Sequence, residues 1–304
     1  MSERIVITGA GGFIGEHLAG SLAMNTVPHG AMYHTLPELP RDSRRATFVG
    51  DLLDKQFVRE AFTGYDVVVH LAGRTGRGQL EDPAEFVRKN VETTAVVYSA
   101  ARDAGVKRVI LASSYEVYGF PQHLPLDEGH QLVPASPYGV TMLAREQLAR
   151  MLGQAYSIRT VILRFFSVFG TPVSERNRKG AISTFVKKLA RDEELTLTGS
   201  TDSMRDYIYV ADVVRCLTQC ISEPALGDTT LNLGTGVGTS LANILDGLRD
   251  YFPGLRCSNG VTANAPQDCN IIASTEKIRS ELGFSCQFHL ASALRDMLAP
   301  GVTK

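Results

Sequence analysis

No stretch of the sequence approaches the roughly 20 consecutive apolar residues of a membrane-spanning helix, and the β-branched run that begins at Ile5 leaves no room for a signal peptide before it. These two absences point away from the membrane and towards a cytoplasmic protein. An excess of one charge is also missing: 31 basic side chains stand against 32 acidic ones, without a run of like charges, so nothing offers an electrostatic footprint for nucleic acid. Close cysteine pairs are lacking as well. The five cysteines (Cys216, Cys220, Cys257, Cys269, Cys286) are odd in number and without zinc-site spacing, and Cys216 and Cys220 read as small core residues one helical turn apart. What remains is a chain of 304 residues, long enough for a large core, whose partner is a small molecule.

The stretch that organises the chain is Ile5 to Gly15, Ile-Val-Ile-Thr-Gly-Ala-Gly-Gly-Phe-Ile-Gly. β-branched residues suit a strand buried on both faces, and Gly9, Gly12 and Gly15 remove Cβ atoms where the chain turns into a helix opened by Phe13 and Ile14. This spacing lets the backbone approach a pyrophosphate at a helix N-terminus, the mark of a dinucleotide site. An acidic residue at the end of a second strand, expected to hold the adenosine ribose, is absent: Ala31 to Thr35 is a poor strand and ends in Tyr33, His34 and Thr35. Arg41, Arg44 and Arg45 follow and suit a 2′-phosphate, so both NAD and NADP stay open as cofactor.

Ala46 to Asp51 reads as a third strand, with Asp51 and Leu52 bordering an adenine, and Val67 to Leu71 as a fourth, followed by Ala72 and Gly73, small enough for a ribose and nicotinamide to lie close. One helix over Pro83 to Ala104, a strand over Arg108 to Ala112, a helix over Tyr138 to Tyr156 and a strand over Thr160 to Phe165 complete the alternation. It predicts an α/β fold with a parallel doubly wound sheet, whose ligands lie at the carboxyl ends of its strands. Residues 1–170, with returning segments near 205–235, form the dinucleotide-binding domain, and 171–304 mainly a smaller C-terminal substrate lobe.

Chemistry concentrates in Ser113-Ser114-Tyr115-Glu116-Val117-Tyr118-Gly119 and in Tyr138. A hydroxyl and a phenol on neighbouring elements can grip one substrate oxygen, the phenol taking its proton while a hydride leaves the same carbon. With these residues, TGAGGFIG from Thr8, VVHLAG from Val68, SPYG from Ser136, LRFFSVFG from Leu163, RDYIYVADV from Arg205 and LNLGTGVGTS from Leu231, the chain resembles the extended short-chain dehydrogenase/reductases, in the nucleotide-sugar epimerase and dehydratase group, nearly end to end.

The resemblance implies a Rossmann-like fold, a nucleotide-sugar substrate, a homodimer formed through the helices after Pro83 and Pro137, and catalysis by Ser114 and Tyr138. It assigns Arg205 to the substrate diphosphate, Ser167 and Tyr115 to substrate binding, Glu116 to proton abstraction beside a transient ketone, and Leu71 and Asn90, with the residues above, to the cofactor. The implied activity is an NAD(P)-dependent epimerase or dehydratase. Alternatives are an NADPH-dependent nucleotide-sugar 4-ketoreductase and a non-catalytic NAD(P)-binding protein. One departure stands out. The family's YxxxK lysine, which holds the nicotinamide ribose and lowers the tyrosine pKa, is here Met142. Arg145 lies on the same helix face as Tyr138 but two turns away, a separation that reads as too great for direct replacement. Ser167 stands where the family has asparagine, and Ala265-Pro266-Gln267-Asp268 where it often has a second phosphate-binding arginine.

Overall fold

The computed structural model describes residues 3–35, 45–76, 82–174, 180–197, 200–260 and 269–299. The β-branched run Ile5–Thr8 forms strand β1, buried at all four positions. Helix α1 (Phe13–Met24) follows the glycine turn. Then come β2 (His29–Tyr33), β3 (Arg45–Val49), α2 (Lys55–Phe62) and β4 (Val67–His70), α2 being capped at its start by Asp54, whose carboxylate accepts from Phe57 N. After β4 lie α3 (Pro83–Phe86), a π-helical turn (Val87–Glu92) and α4 (Thr93–Ala104), then β5 (Arg108–Ser114), a 3₁₀ turn (Tyr115–Val117), α5 (Pro137–Tyr156) and β6 (Arg159–Phe165). The later chain adds β7 (Ser167–Phe169), α6 (Ala181–Leu189), β8 (Leu195–Leu197), β9 (Met204–Tyr209), α7 (Val210–Ser222), β10 (Thr229–Leu233), β11 (Gly238–Ser240), α8 (Leu241–Arg249), β12 (Cys257–Asn259), α9 (Glu276–Leu282) and α10 (Leu290–Met297).

The main sheet has seven strands in the order β10-β6-β5-β4-β1-β2-β3, and from β6 to β3 every neighbouring pair is parallel. The order reverses at β1, which pairs with both β2 and β4. The carboxyl end of β1 therefore lies at the switch point, where such sheets hold their ligands. One core lies on this sheet: Val6, Val68, Val109, Leu111 and Ile162 from the strands meet Val97, Tyr98 and Ala101 of α4 and Val58 and Phe62 of α2. The remaining strands form two smaller sheets, β11-β9-β7 and β12-β8. The chain divides into two compact units, Met1–Phe120 with Gly129–Phe165 and Val214–Leu231, and Pro121–Glu128 with Phe166–Val213 and Asn232–Lys304. Among the described residues no helix is long and apolar enough to cross a membrane.

Several elements differ from the sequence reading. The segment expected to be a poor strand is a full one, β2, running from His29 and buried throughout, because pairing with both β1 and β3 outweighs the low propensity of Gly30 and Ala31. The single helix expected over Pro83 to Ala104 is broken by the π turn, where Asn90 is fully buried and its amide is engaged outside the helix. Strand β5 continues two residues beyond Ala112, because Ser113 and Ser114 still pair with Arg164 and Phe165 of β6. Of the arginines considered for a 2′-phosphate, Arg45 opens β3, while Arg41 and Arg44 lie outside the described residues, as do Ala265, Pro266, Gln267 and Asp268.

Candidate active site

The glycine turn is built as a cradle for a close-lying ligand backbone. Gly9 is left-handed (φ +72°), and a Cβ on it would lie 2.6 Å from Ala72 N; a Cβ on Gly15 would lie 2.2 Å from Gly9 O. Gly12 N donates to Gly9 O (2.9 Å), closing the turn, and α1 starts at Gly12 with no side chain capping its first N–H groups. Those N–H groups, at the positive end of a helix of 12 residues that begins with Phe13 and Ile14, suit a pyrophosphate. At the end of β2 the Tyr33 side chain lies against Gly11, 3.2 Å from where a Cβ would stand, and its buried hydroxyl has no hydrogen-bond partner among the described residues. After β3, Asp51 is exposed, with its carboxylate accepting from Leu53 N, and Leu52 is half-buried at the edge of the core.

The loop after β4 forms the second wall. Leu71 N donates to Thr8 O, which brings Ala72 and Gly73 beside the glycine turn. Asn90 shapes this loop: its Oδ1 accepts from Arg74 N (2.8 Å), and its Nδ2 donates to Arg74 O (3.1 Å) and Thr141 Oγ1 (2.9 Å). Side-chain volume at Gly73 is excluded, since a Cβ would lie 2.9 Å from Asn90 Oδ1 and 3.1 Å from Arg145 Nη1. His70 beneath is hydrogen-bonded by Thr8 (2.7 Å) and held well below its ordinary pKa by burial, with the Arg145 charge adding, so it is a neutral structural residue.

The third wall gathers hydroxyl, phenol and carboxylate groups. Ser114 ends β5, and its hydroxyl hydrogen-bonds Tyr138 while accepting from Glu116 N at 3.2 Å. Tyr138 is the second residue of α5, whose N-cap Ser136 accepts from Gly139 N. The Tyr138 ring is half-buried, 6.3 Å from the Phe86 ring. Burial of the phenol pushes its pKa up to about 12, with the Ser114 hydrogen bond and the Arg145 charge opposing the rise and the Glu116 charge adding to it. Glu116 lies beyond the strand that carries Ser114, on the 3₁₀ turn. Its carboxylate accepts from Ser136 Oγ at 2.6 Å, and so braces the start of α5. Ser113, the neighbouring hydroxyl, points elsewhere and donates to buried Glu146 (2.5 Å). Tyr115 is buried, and Met142 is buried one turn beyond Tyr138.

One sequence expectation is refined here. Arg145, read as too far from Tyr138 for direct replacement of the lysine, points back towards the helix N-terminus, as helical side chains do: its Nη2 donates to His70 O at 3.1 Å, and its charge opposes the rise of the Tyr138 pKa. The spacing of seven residues carried that signal, because a long stem can recover a turn. In the second unit, Arg205 on β9 is not paired with its neighbour, since buried Asp206 accepts from Thr235 N, Gly236 N and Ala273 N instead. Among the described residues Arg205 makes no ion pair; its guanidinium lies 3.9 Å from Cys269 Sγ. Ser167, half-buried on β7, pairs with Tyr207 of β9.

These features have counterparts in known proteins. UDP-glucose 4-epimerase 3 of Oryza sativa subsp. japonica is 29% identical over 96% of this chain and 88% of its own length. A putative UDP-glucose 4-epimerase of Methanocaldococcus jannaschii is 30% identical over 80% of each. The solved structure of MoeE5 with UDP-glucuronic acid and NAD superposes with a TM-score of 0.87 at 31% identity, covering 96% of both chains. Residues 5–234 match the family described as NAD dependent epimerase/dehydratase, from the glycine turn through the Ser114–Tyr138 pair to the end of β10, and the chain is an enzyme of that NAD-dependent family.

Proposed function

We infer that the protein inverts one carbon of a UDP-linked hexose or hexuronate by way of a transient ketone. The observation that carries this reading is the hydrogen bond between Ser114 and Tyr138 at the carboxyl end of β5, in the same unit as the glycine cradle. In it the Ser114 hydroxyl orients the sugar hydroxyl, and the Tyr138 phenolate takes its proton as the O–H bond breaks and the carbonyl forms. When bound, NAD supplies the hydride acceptor for that oxidation and the hydride donor for the return. The cradle, Gly73 and the loop set by Asn90 hold the cofactor; in the second unit the Arg205 guanidinium has the chemistry to bind a diphosphate through charge-assisted hydrogen bonds. Leu71, Ala72, Asp51 and Leu52 border its ribose and adenine. UDP as the nucleotide and C4 as the carbon are supported by the relatives, which are UDP-glucose 4-epimerases, and by the UDP-glucuronic acid complex of MoeE5.

A second reading, elimination with Glu116 as base, is favoured by the nearness of that carboxylate to Tyr138, whose proton affinity it raises. Its contact with Ser136 favours the bracing role and so the epimerase. Proton NMR of UDP-glucose and UDP-glucuronate incubated with the enzyme in D2O separates the two. Epimerisation gives the 4-epimer without carbon-bound deuterium, Glu116→Gln keeps turnover, and Tyr138→Phe loses about 100-fold or more in kcat. Solvent deuterium in the product, abolished by Glu116→Gln, would replace the epimerase reading with the elimination.

We also place the enzyme in the cytoplasm as a homodimer. Five free thiols suit a reducing compartment, and recovery from an oxidising one on cell fractionation would overturn that. The dimer is supported by apolar side chains left exposed on α5 and on the π turn, Val140, Met151 and Val87.

A further inference from the structure

Tyr138 needs a positive neighbour, because a phenol pushed up to about 12 is almost never ionised near neutrality. Where the family places a lysine, this chain has buried, uncharged Met142. One further turn along α5 stands Arg145, a large side chain only 1% exposed. Its guanidinium doubles back: Nη2 donates to His70 O at 3.1 Å, and Nη1 lies 3.1 Å from the point a Gly73 Cβ would occupy, beside Asn90. The charge therefore rests at the carboxyl end of β4, in the loop that faces the nicotinamide end of the proposed cofactor site.

Structural duty does not account for it. Among the described residues Arg145 makes no ion pair, its guanidinium donates to His70 O, and its buried Nε has no partner. The groups that face it are Tyr138 on its own helix, Tyr98 on α4, neutral His70 on β4, and Glu146 beside it, which is already committed to Arg164, Arg150 and Ser113. The groups that face Tyr138 are Ser114, Glu116 and Arg145. A cation buried without a counter-charge is costly, and an apolar side chain of similar volume would fill the space more stably.

We propose that Arg145 is the positioning residue that supplies Tyr138 with its positive charge in place of the missing lysine, reaching back about one 5.4 Å turn of α5 from a position one turn too far. This rests on the reading of Ser114 and Tyr138 as the acid/base pair of a sugar-nucleotide epimerase. Burial lowers the pKa of Arg145 to about 10, with Tyr138, Tyr98 and Glu146 opposing the fall, so the guanidinium stays charged at neutral pH. The cation stabilises the phenolate, which then takes the substrate proton; Arg145 itself transfers none.

The test compares NAD-loaded wild type, Arg145→Met and the exchange variant Met142→Lys/Arg145→Met, each against its own Tyr138→Phe version. The phenolate absorbance that disappears with Tyr138→Phe reports the ionised fraction of Tyr138 without turnover. Arg145→Met should lower that fraction about tenfold or more at a given pH, and move the limb of kcat/KM that rises with pH upward by about one unit or more. The exchange variant, with its charge at the family's position, should restore both to within about threefold of wild type. In the Tyr138→Phe background Arg145→Met should cost nothing further, whereas a packing role would cost the same in both. Unchanged Tyr138 ionisation in Arg145→Met overturns the proposal. Should Arg145→Met not fold, the exchange variant decides alone, and a tenfold loss of phenolate there overturns it. A wild type that loads no NAD or turns over no UDP-sugar sinks the functional reading instead, and the ionisation comparison on the protein as purified still decides the role of Arg145.

Discussion

Glu146 is the residue on which the support of the site converges. Fully buried on α5, it accepts from Ser113 and Arg164 Nε on one oxygen and from Arg164 Nη2 and Arg150 on the other. Arg164 in turn donates to the Tyr118 hydroxyl, so one carboxylate ties α5 to β5, β6 and the segment after the 3₁₀ turn. Burial alone would raise its pKa, but the Arg164 hydrogen bond and charge, with Ser113 and Arg150, outweigh that and hold it below the ordinary value. With the folded pKa depressed, the contribution to stability is complete above the unfolded value near 4.3 and is lost as pH falls through the folded pKa. Glu146→Gln leaves Arg164 buried without its counter-charge and should cost about 3–5 kcal/mol at pH 7. Urea unfolding should show the gap between variant and wild type narrowing below about pH 4; an equal gap at pH 7 and in acid would mean the ion pair is not its source.

At the scale of the element, α5 serves two surfaces at once. Its inner face carries Tyr138, Met142, Arg145, Glu146 and Ala149, while Val140 and Met151, eleven residues apart and hence nearly eclipsed, point outward together. Half-buried Ala144 and Leu148 lie between them on the same side. The proposed dimer uses this outer face, so Val140→Glu/Met151→Glu should convert a dimer into a monomer in light scattering while leaving NAD binding intact. A wild type that is monomeric at every concentration would remove the dimer. The sequence pattern made α5 legible as a helix, since Pro137 marks its start. The break at Val87–Glu92 was not legible, because the π turn is imposed by partners of Asn90 distant in sequence, Arg74 and Thr141. Arg145 was visible as a residue and hidden as a function: periodicity gives the face of a helix and not the direction in which a long stem folds back.

For the whole molecule, the alternation of strand and helix and the glycine turn were sufficient to read a doubly wound sheet and its ligand edge, because both follow from local chemistry. Register and the length of β2 were not readable, since pairing with β1 and β3 settles them against propensity. Nor was the duty of Asp206, which gathers Thr235, Gly236 and Ala273 around itself. The close approaches at two glycines reach beyond the protein to its gene. A Cβ on Gly15 would stand 2.2 Å from Gly9 O, and one on left-handed Gly119 would stand 1.8 Å from Val133 O, both main-chain oxygens that no rotamer change can move. Every missense change available to a glycine codon by a single base adds a Cβ, so neither position has a mutational neighbour that fits. Deep sequencing of a randomised library selected for folded protein should therefore return glycine alone at both sites, whatever sugar the enzyme has come to handle, and lineages that diverge in substrate are expected to keep glycine at both, changing only between its synonymous codons.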